Sequence, residues 1–115
     1  MTNYEPGQVI LVPFPFTDLS TAKSRPALII SSRVFNQSHS DLIVVAITSQ
    51  KPYDLQSDEY LIPSVEQQIA GLPKTSKIKS GKIVALDQRL VRKTLGRISF
   101  PALRDVIKLV VSNFS

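Results

Sequence analysis

The first half of the chain consists of short apolar runs separated by polar or proline-rich breaks. Residues 8–14, QVILVPF, and 26–32, PALIISS, are rich in β-branched residues and predict two strands. In residues 41–48, DLIVVAIT, both alternating sets of positions are apolar, which is typical of a strand buried on both faces. Short strands at this spacing, without long helical runs between them, predict a small barrel or two packed antiparallel sheets.

The pattern continues through the middle of the second half. Residues 59–62, EYLI, predict a short strand, and 69–77, IAGLPKTSK, predict a bend punctuated by Gly and Pro. Residues 77–86, KIKSGKIVAL, predict a strand, a kink or turn at the Ser-Gly pair, and a further strand. A short helix is possible in residues 87–95, DQRLVRKTL, because a helical conformation would place Leu90, Val91 and Leu95 on one side.

The end of the chain changes to a helical period. Ser99 is suited to cap a helix, and Pro101 falls in its first turn. The apolar residues that follow recur at spacings of three and four: Leu103, Val106, Ile107, Val110 and Phe114. The whole pattern predicts one mainly-β domain, residues 1–115, that ends in an amphipathic helix.

Composition limits the chemistry that is available to this domain. The chain has 115 residues, 43% of them hydrophobic, and no apolar run approaches the length that crosses a bilayer. The first residues, MTNYEPGQVI, do not resemble an export signal, so we expect a soluble cytoplasmic protein. With no cysteine and one histidine, the sequence excludes thiolate catalysis, sulfur-ligated zinc and a two-histidine acid and base pair. The usual enzyme nucleophiles are then limited to hydroxyls and carboxylates; we predict no cofactor, and the resemblance described below implies that no metal is needed.

Positive charge is concentrated in the last third of the chain. The net charge is +5, and between Lys74 and Arg104 the only acidic residue is Asp87. Such a basic segment is compatible with a polyanionic partner such as RNA. Alternatively, charges that are segregated along the sequence become intermixed in space.

Arg25 stands at the start of the second apolar run. Because it precedes Pro26, its backbone is biased towards an extended conformation, and its side chain should project where the polar loop joins the strand. A guanidinium presents a planar fork of donors that suits a phosphate or the charge that builds on one during displacement. The alternative is a surface arginine whose stem packs on the strand.

Three consecutive hydrogen-bonding residues, Thr48, Ser49 and Gln50, end the most apolar strand. Functional sites often lie where rigid strands end, and these side chains can donate to a phosphoryl oxygen or reach a base edge. They can equally satisfy the backbone beside a turn. His39 and Asp18 are the other candidates, and we interpret them as a solvated loop residue and a turn cap.

Taken together, residues 7–31 (GQVILVPFPFTDLSTAKSRPALIIS), 44–50 (VVAITSQ) and 82–99 (KIVALDQRLVRKTLGRIS) resemble the MazF/PemK family of toxin endoribonucleases. The resemblance implies a small SH3-like β-barrel of the PemK/CcdB toxin type with a C-terminal helix. It also implies a homodimer, an acidic antitoxin that occupies the RNA channel, and metal-independent cleavage of single-stranded RNA.

Carried onto this chain, the family motifs assign catalytic roles to Arg25 and Thr48. The expected RNA-binding residues are Thr17, Lys23, Ser49, Gln50, Lys77 and Lys79. In RNA the 2′-hydroxyl is an internal nucleophile, so the protein has mainly to align it and stabilise charge on the phosphoryl oxygens. The expected products are a 2′,3′-cyclic phosphate and a 5′-hydroxyl.

The chain departs from the family pattern at two places. Gln8 stands where the family often has Asp, and residues 76–81, SKIKSG, replace a pattern that commonly reads SVV followed by Asp-Gln. Lys77 and Lys79 make this region more cationic, which favours contacts to phosphate that carry no sequence information. Two other functions therefore stay open: a non-catalytic or gyrase-binding toxin-like module on the same fold, and a generic basic RNA-binding barrel.

Overall fold

The computed structural model describes residues 3–13 and 23–115. Its six strands form one antiparallel sheet in the order β4-β5-β3-β2-β1-β6. The strands are β1 (Gln8–Pro13), β2 (Ser24–Ile29), β3 (Asp41–Thr48), β4 (Glu59–Leu61), β5 (Lys77–Asp87) and β6 (Lys93–Arg97). Within the described ranges, no helix combines the length and the apolar character that crossing a bilayer requires.

The C-terminal helix is confirmed. Helix α3 (Phe100–Ser112) begins after Ser99, whose hydroxyl accepts from the Ala102 N–H, and Pro101 lies in its first turn. Its residues Leu103 and Val106 are buried, whereas Phe114 lies beyond the helix and is exposed. The periodicity therefore identifies the buried side of the helix correctly but extends the helix past its end.

Two short helices were not predicted. These are α1 (Arg33–Ser38) and α2 (Ser64–Ile69), each of six residues. Fewer than two turns give too few positions for a 3.6-residue period to show. The helix considered for residues 87–95 is wrong, because Gln88–Leu90 form one 3₁₀ turn and the chain then enters β6.

Strand β3 is buried on both faces, as its sequence predicts. Leu42, Val44 and Ala46 belong to one apolar cluster, and Val45 and Ile47 belong to another. The second cluster includes Val106 of α3, so the terminal helix covers one side of the sheet. The most apolar strand is thus the central wall between two cores, which makes its end a rigid position for functional side chains.

The predicted kink in residues 77–86 is a bulge within one strand. Val45 pairs with Ile83 and the next residue, Ala46, pairs with Lys79, so three residues of β5 stand opposite a single step of β3. Such a bulge bends the strand and increases its twist without ending it. Strand β5 therefore continues for 11 residues and pairs with both β3 and β4.

The prediction of a mainly-β fold with a C-terminal helix is confirmed, but the sheet is not closed by hydrogen bonds. In the described part of the chain, β4 and β6 stand at its two edges. The end of α2 instead lies against β6: a Cβ placed on Gly71 would lie 2.1 Å from the Leu95 carbonyl oxygen, and one on Gly96 would lie 2.1 Å from the Ile69 carbonyl oxygen. Backbone packing between two glycines thus connects β6 to the segment that leads into β5.

Candidate active site

Arg25 and Thr48 lie at adjacent strand ends. In the β2–β3 ladder Ala27 pairs with Ala46 and Leu28 with Val45, and continuing this register by two residues brings Arg25 level with Thr48. Both residues line one pocket of about 350 Å³. The structure thus brings the two predicted catalytic residues together.

The pocket has an apolar wall and a polar rim. Ser49 and Gln50 follow Thr48 on the rim, and the rest of the wall comes from β1, β6 and the segment between α2 and β5. The apolar side chains in the lining are Leu11, Pro26, Ile47, Leu72, Pro73 and Leu95. An apolar wall beside a few placed polar groups is the usual composition of a site for an organic ligand.

The charged residues among the described lining residues are both cations. Arg25 lies on the β2 side of the pocket and Lys74 on the segment before β5, and the described lining contains no carboxylate. Two cations that share a concave surface attract anions and raise their local concentration. This arrangement suits a phosphate group.

The Thr48 hydroxyl is oriented by the backbone that follows it. Its Oγ1 accepts a hydrogen bond from the Gln50 N–H at 3.2 Å. A hydroxyl that accepts in this way keeps its own proton for donation. The Thr48 hydroxyl therefore remains able to donate a hydrogen bond, while the same contact forms a turn directly after β3.

Lys77 and Lys79 are not among the residues that line this pocket, and their RNA-binding roles stay predictions. Its Nζ donates to Oε1 of Glu59 at 2.9 Å and to the Asp54 carbonyl oxygen at 2.7 Å. The side chains of Lys77 and Glu59 are only 8% and 5% exposed. Lys79 is partly exposed, and its Nζ lies 3.6 Å from Oε2 of the same carboxylate.

The Glu59 carboxylate stays ionised in this cluster. Burial opposes its ionisation, but hydrogen bonds from the Gln56 N–H and from Lys77, together with the charge of Lys79, more than offset that effect. The pKa of Glu59 therefore lies below its ordinary value.

Two further residues, Lys23 and Thr17, are predicted to bind RNA. Lys23 is exposed immediately before β2. Thr17 lies outside the described residues, as does Asp18. The RNA-binding roles of both Lys23 and Thr17 stay predictions.

Lys74 is the charged pocket residue that the sequence analysis did not select. It lies in the bend that Gly71 and Pro73 punctuate, and it begins the basic third of the chain. Its place at the start of the basic segment was the only signal that the sequence offered. A single lysine in a bend forms no recognisable motif with its neighbours. Only the packing of α2 against β6 brings this segment to the end of β3.

His39 is a surface residue, as predicted. It follows α1, its ring stacks on Phe35 with 4.0 Å between centroids, and it is exposed. Among the residues that the structure describes, there is no group of three or more His, Cys, Asp or Glu side chains that could hold a metal ion.

A larger concavity, of about 610 Å³, lies elsewhere on the surface. Its lining includes Ile69, Phe100 and Leu103, with the Glu5–Arg33 ion pair among its charged groups. None of the predicted catalytic or RNA-binding residues that the structure describes lines it. Because Arg25 and Thr48 line the smaller pocket, we take it as the candidate active site.

The fold and the cationic pocket define a small, mainly-β protein that is suited to bind a phosphate-bearing ligand. Residues 5–113 match the model of a protein family described as PemK-like, MazF-like toxin of type II toxin-antitoxin system. This match spans nearly the whole chain, and the protein belongs to that family. No curated protein matches the sequence.

Solved structures of similar fold include toxins alone and in complexes. An endoribonuclease from Mycobacterial species aligns with a TM-score of 0.76 and 18% identity over 97% of this chain and 91% of its own. A MazE-MazF structure from Deinococcus radiodurans aligns with a TM-score of 0.77 and 19% identity over 100% of this chain and 98% of its own. A further similar structure is an endoribonuclease in complex with its cognate antitoxin from Mycobacterial species, with a TM-score of 0.75 and 17% identity over 95% of this chain and 92% of its own.

Proposed function

We propose that this protein is the toxin of a toxin-antitoxin pair and a metal-independent endoribonuclease that cleaves single-stranded RNA. The observation that carries the proposal is the shared pocket of Arg25 and Thr48, with Lys74 as a second cation. Membership of the PemK-like, MazF-like toxin family supports it, as does the similarity in fold to proteins that are named as endoribonucleases.

The residues of the pocket suit the attack of a tethered nucleophile. The 2′-oxygen of the substrate loses its proton and attacks the neighbouring phosphorus, the bond from phosphorus to the 5′-oxygen breaks, and the departing 5′-oxygen takes up a proton. Arg25 stabilises the negative charge on the phosphoryl oxygens, and the Thr48 hydroxyl donates a hydrogen bond to one of them. Because the nucleophile belongs to the substrate, the reaction needs no metal to activate a water molecule. The products are a 2′,3′-cyclic phosphate and a 5′-hydroxyl.

The remaining lining suits the parts of RNA that flank the phosphate. Ser49 and Gln50 lie beside Thr48 and offer hydrogen-bonding groups to a base or a sugar. Leu72, Pro73 and Leu95 offer an apolar surface against which a base can pack. In a single strand the bases are unpaired and can turn into such a pocket, which favours a single-stranded substrate.

We further propose that the toxin is a cytoplasmic homodimer whose antitoxin is acidic. A complex of a similar fold with its cognate antitoxin supports the existence of such a partner, and the net charge of +5 favours an acidic one. Static light scattering tests the dimer, because a monomer mass across micromolar concentrations would contradict it.

The test of the proposed activity is incubation of the purified protein with a long single-stranded RNA in EDTA. Arg25→Ala and Thr48→Ala are compared with Lys108→Ala, which removes an exposed cation from α3. We expect discrete cuts with cyclic-phosphate ends from the unmodified protein and from Lys108→Ala, and their loss in the two pocket variants. Intact RNA with folded protein would instead favour the non-catalytic or gyrase-binding alternative, which a gyrase pull-down tests.

A further inference from the structure

We propose that the buried ion pair of Lys77 and Glu59 is a positioning pair for the proposed cleavage. It fixes residues 49–58, here called the strand-end loop, which begin directly after Thr48 and carry Ser49 and Gln50 into the pocket. The inference rests on the proposed function, but the order of this loop can be measured without any RNA.

Three backbone groups of the loop are bound to this pair or beside it. Lys77 Nζ donates to the Asp54 carbonyl oxygen at 2.7 Å, and the Gln56 N–H donates to Glu59 Oε1 at 2.9 Å. Further along β5, the Ser80 hydroxyl donates to the Asp58 carbonyl oxygen. The far half of the loop is therefore fastened to β5 through the pair and through Ser80.

The near half of the loop contains a backbone conformation that needs such support. Lys51 has a φ of 46°, in the left-handed region that is unfavourable for a non-glycine residue. The Asp54 N–H donates to the Lys51 carbonyl oxygen at 3.1 Å, so the turn at Lys51 ends at Asp54. The carbonyl oxygen of Asp54 in turn accepts from Lys77 Nζ. Releasing Asp54 would release this turn.

The pair is poorly explained as a source of stability alone. Removing two charges from water costs more than their attraction returns in many proteins, and apolar residues of similar volume often stabilise such a position equally well. What apolar residues cannot supply is a donor for the Asp54 carbonyl and an acceptor for the Gln56 N–H. The pair therefore supplies loop geometry that a purely apolar core would not.

The order of the two charges is also specified. Glu59 accepts from the Gln56 N–H, and Lys77 donates to the Asp54 carbonyl oxygen. Exchanging the two residues would place an ammonium against an N–H donor and a carboxylate against a carbonyl acceptor. Lys77 is in turn paired with Thr48 in the β3–β5 ladder and with Leu61 in the β4–β5 ladder. One residue thus links the central strand, the edge strand and the loop that follows Thr48.

The experiment compares Glu59→Gln and Lys77→Met with Asp87→Asn, a matched control that neutralises an exposed ion pair with Arg89. Hydrogen exchange is followed at the amides of Gln50, Asp54 and Gln56, and RNA cleavage is measured for kcat and KM separately. We expect faster exchange at these amides with the α3 amides still protected, a kcat lowered about 10-fold to 100-fold, and a KM within about threefold. Asp87→Asn should change none of these values.

The double variant Glu59→Leu/Lys77→Met keeps the test decisive if the single variants do not fold. It removes both charges and so leaves no unpaired one. Stable protein with fast loop exchange and low kcat supports the positioning role, whereas full kcat and slow exchange would overturn it. If the unmodified protein itself leaves RNA intact, the proposed activity fails, and hydrogen exchange alone then decides whether the pair orders the loop.

Discussion

Thr48 and Lys77 are paired across the β3–β5 ladder, yet their side chains lie in different environments. Thr48 lines the pocket that contains Arg25, whereas Lys77 is buried against Glu59 beneath the loop that follows Thr48. The last pair of one ladder therefore joins a residue that lines the pocket to a residue that holds the adjoining backbone.

Arg25 is expected to contribute through the geometry of its donors as well as through its charge. Arg25→Ala should lower kcat by about 100-fold to 1,000-fold, the usual effect of losing a donor to a charge that builds in the transition state. Arg25→Lys keeps a cation but not the planar fork, and it should recover only part of the activity. Single-turnover cleavage of a short RNA with one cut site measures both. Equal rates for Arg25→Lys and the unmodified protein would show that charge alone is sufficient.

Lys74 is expected to contribute to binding and not to the chemical step. Lys74→Ala should raise KM with little change in kcat, because a phosphate contact that is equal in the ground state and the transition state affects only binding. On single-stranded RNA the loss of one phosphate contact should also reduce the slope of log K against log salt by about 0.7. Affinity for a non-cleavable RNA across a salt series checks this, with Lys108→Ala as the control. An unchanged salt slope would place Lys74 outside the RNA path.

Glu59 should make the stability of the fold depend on pH in the acid range. Since its pKa in the folded protein lies below the ordinary value, its ionised form stabilises the fold at any pH above that ordinary value. This contribution should be lost as the pH falls from about 5 towards 3, where the unfolded chain binds the proton first. Thermal unfolding over this range should show a shallower pH dependence for Glu59→Gln than for the unmodified protein. Identical pH dependences for the two proteins would mean that the Glu59 carboxylate does not contribute to the loss of stability in acid.

The crossing of α2 and β6 should tolerate no side chain at Gly71. Its φ of 72° opposes any other residue, and so does the Leu95 carbonyl oxygen, which would lie 2.1 Å from a Cβ at this position. Gly71→Ala should destabilise the protein by more than about 2 kcal/mol. Gly81→Ala is the matched control, because its Cβ would meet only the end of the Asp58 side chain, at 3.0 Å. Urea unfolding of the two variants provides the comparison, and equal stabilities would contradict the tight crossing.

The sequence by itself determined the parts of this protein that depend on local patterns. The continuous apolar run in residues 41–48 identified β3 and its burial on two faces, and the Ser99 cap with its helical period identified α3. The motifs around Arg25 and Thr48 identified the family, and the match over residues 5–113 confirms it. Each of these signals is a pattern of residue types along the sequence, so no knowledge of the fold was needed to find it.

Tertiary structure alone decided what surrounds those residues. Lys77 and Lys79 look alike in the sequence, but Lys77 is buried against Glu59, 18 positions away, and Lys79 remains partly exposed. Lys74 reaches the pocket because Gly71 and Gly96 allow two backbones to touch. Pairings between distant residues leave no periodic trace in a single sequence, since they depend on how the strands are ordered and on which segments cross.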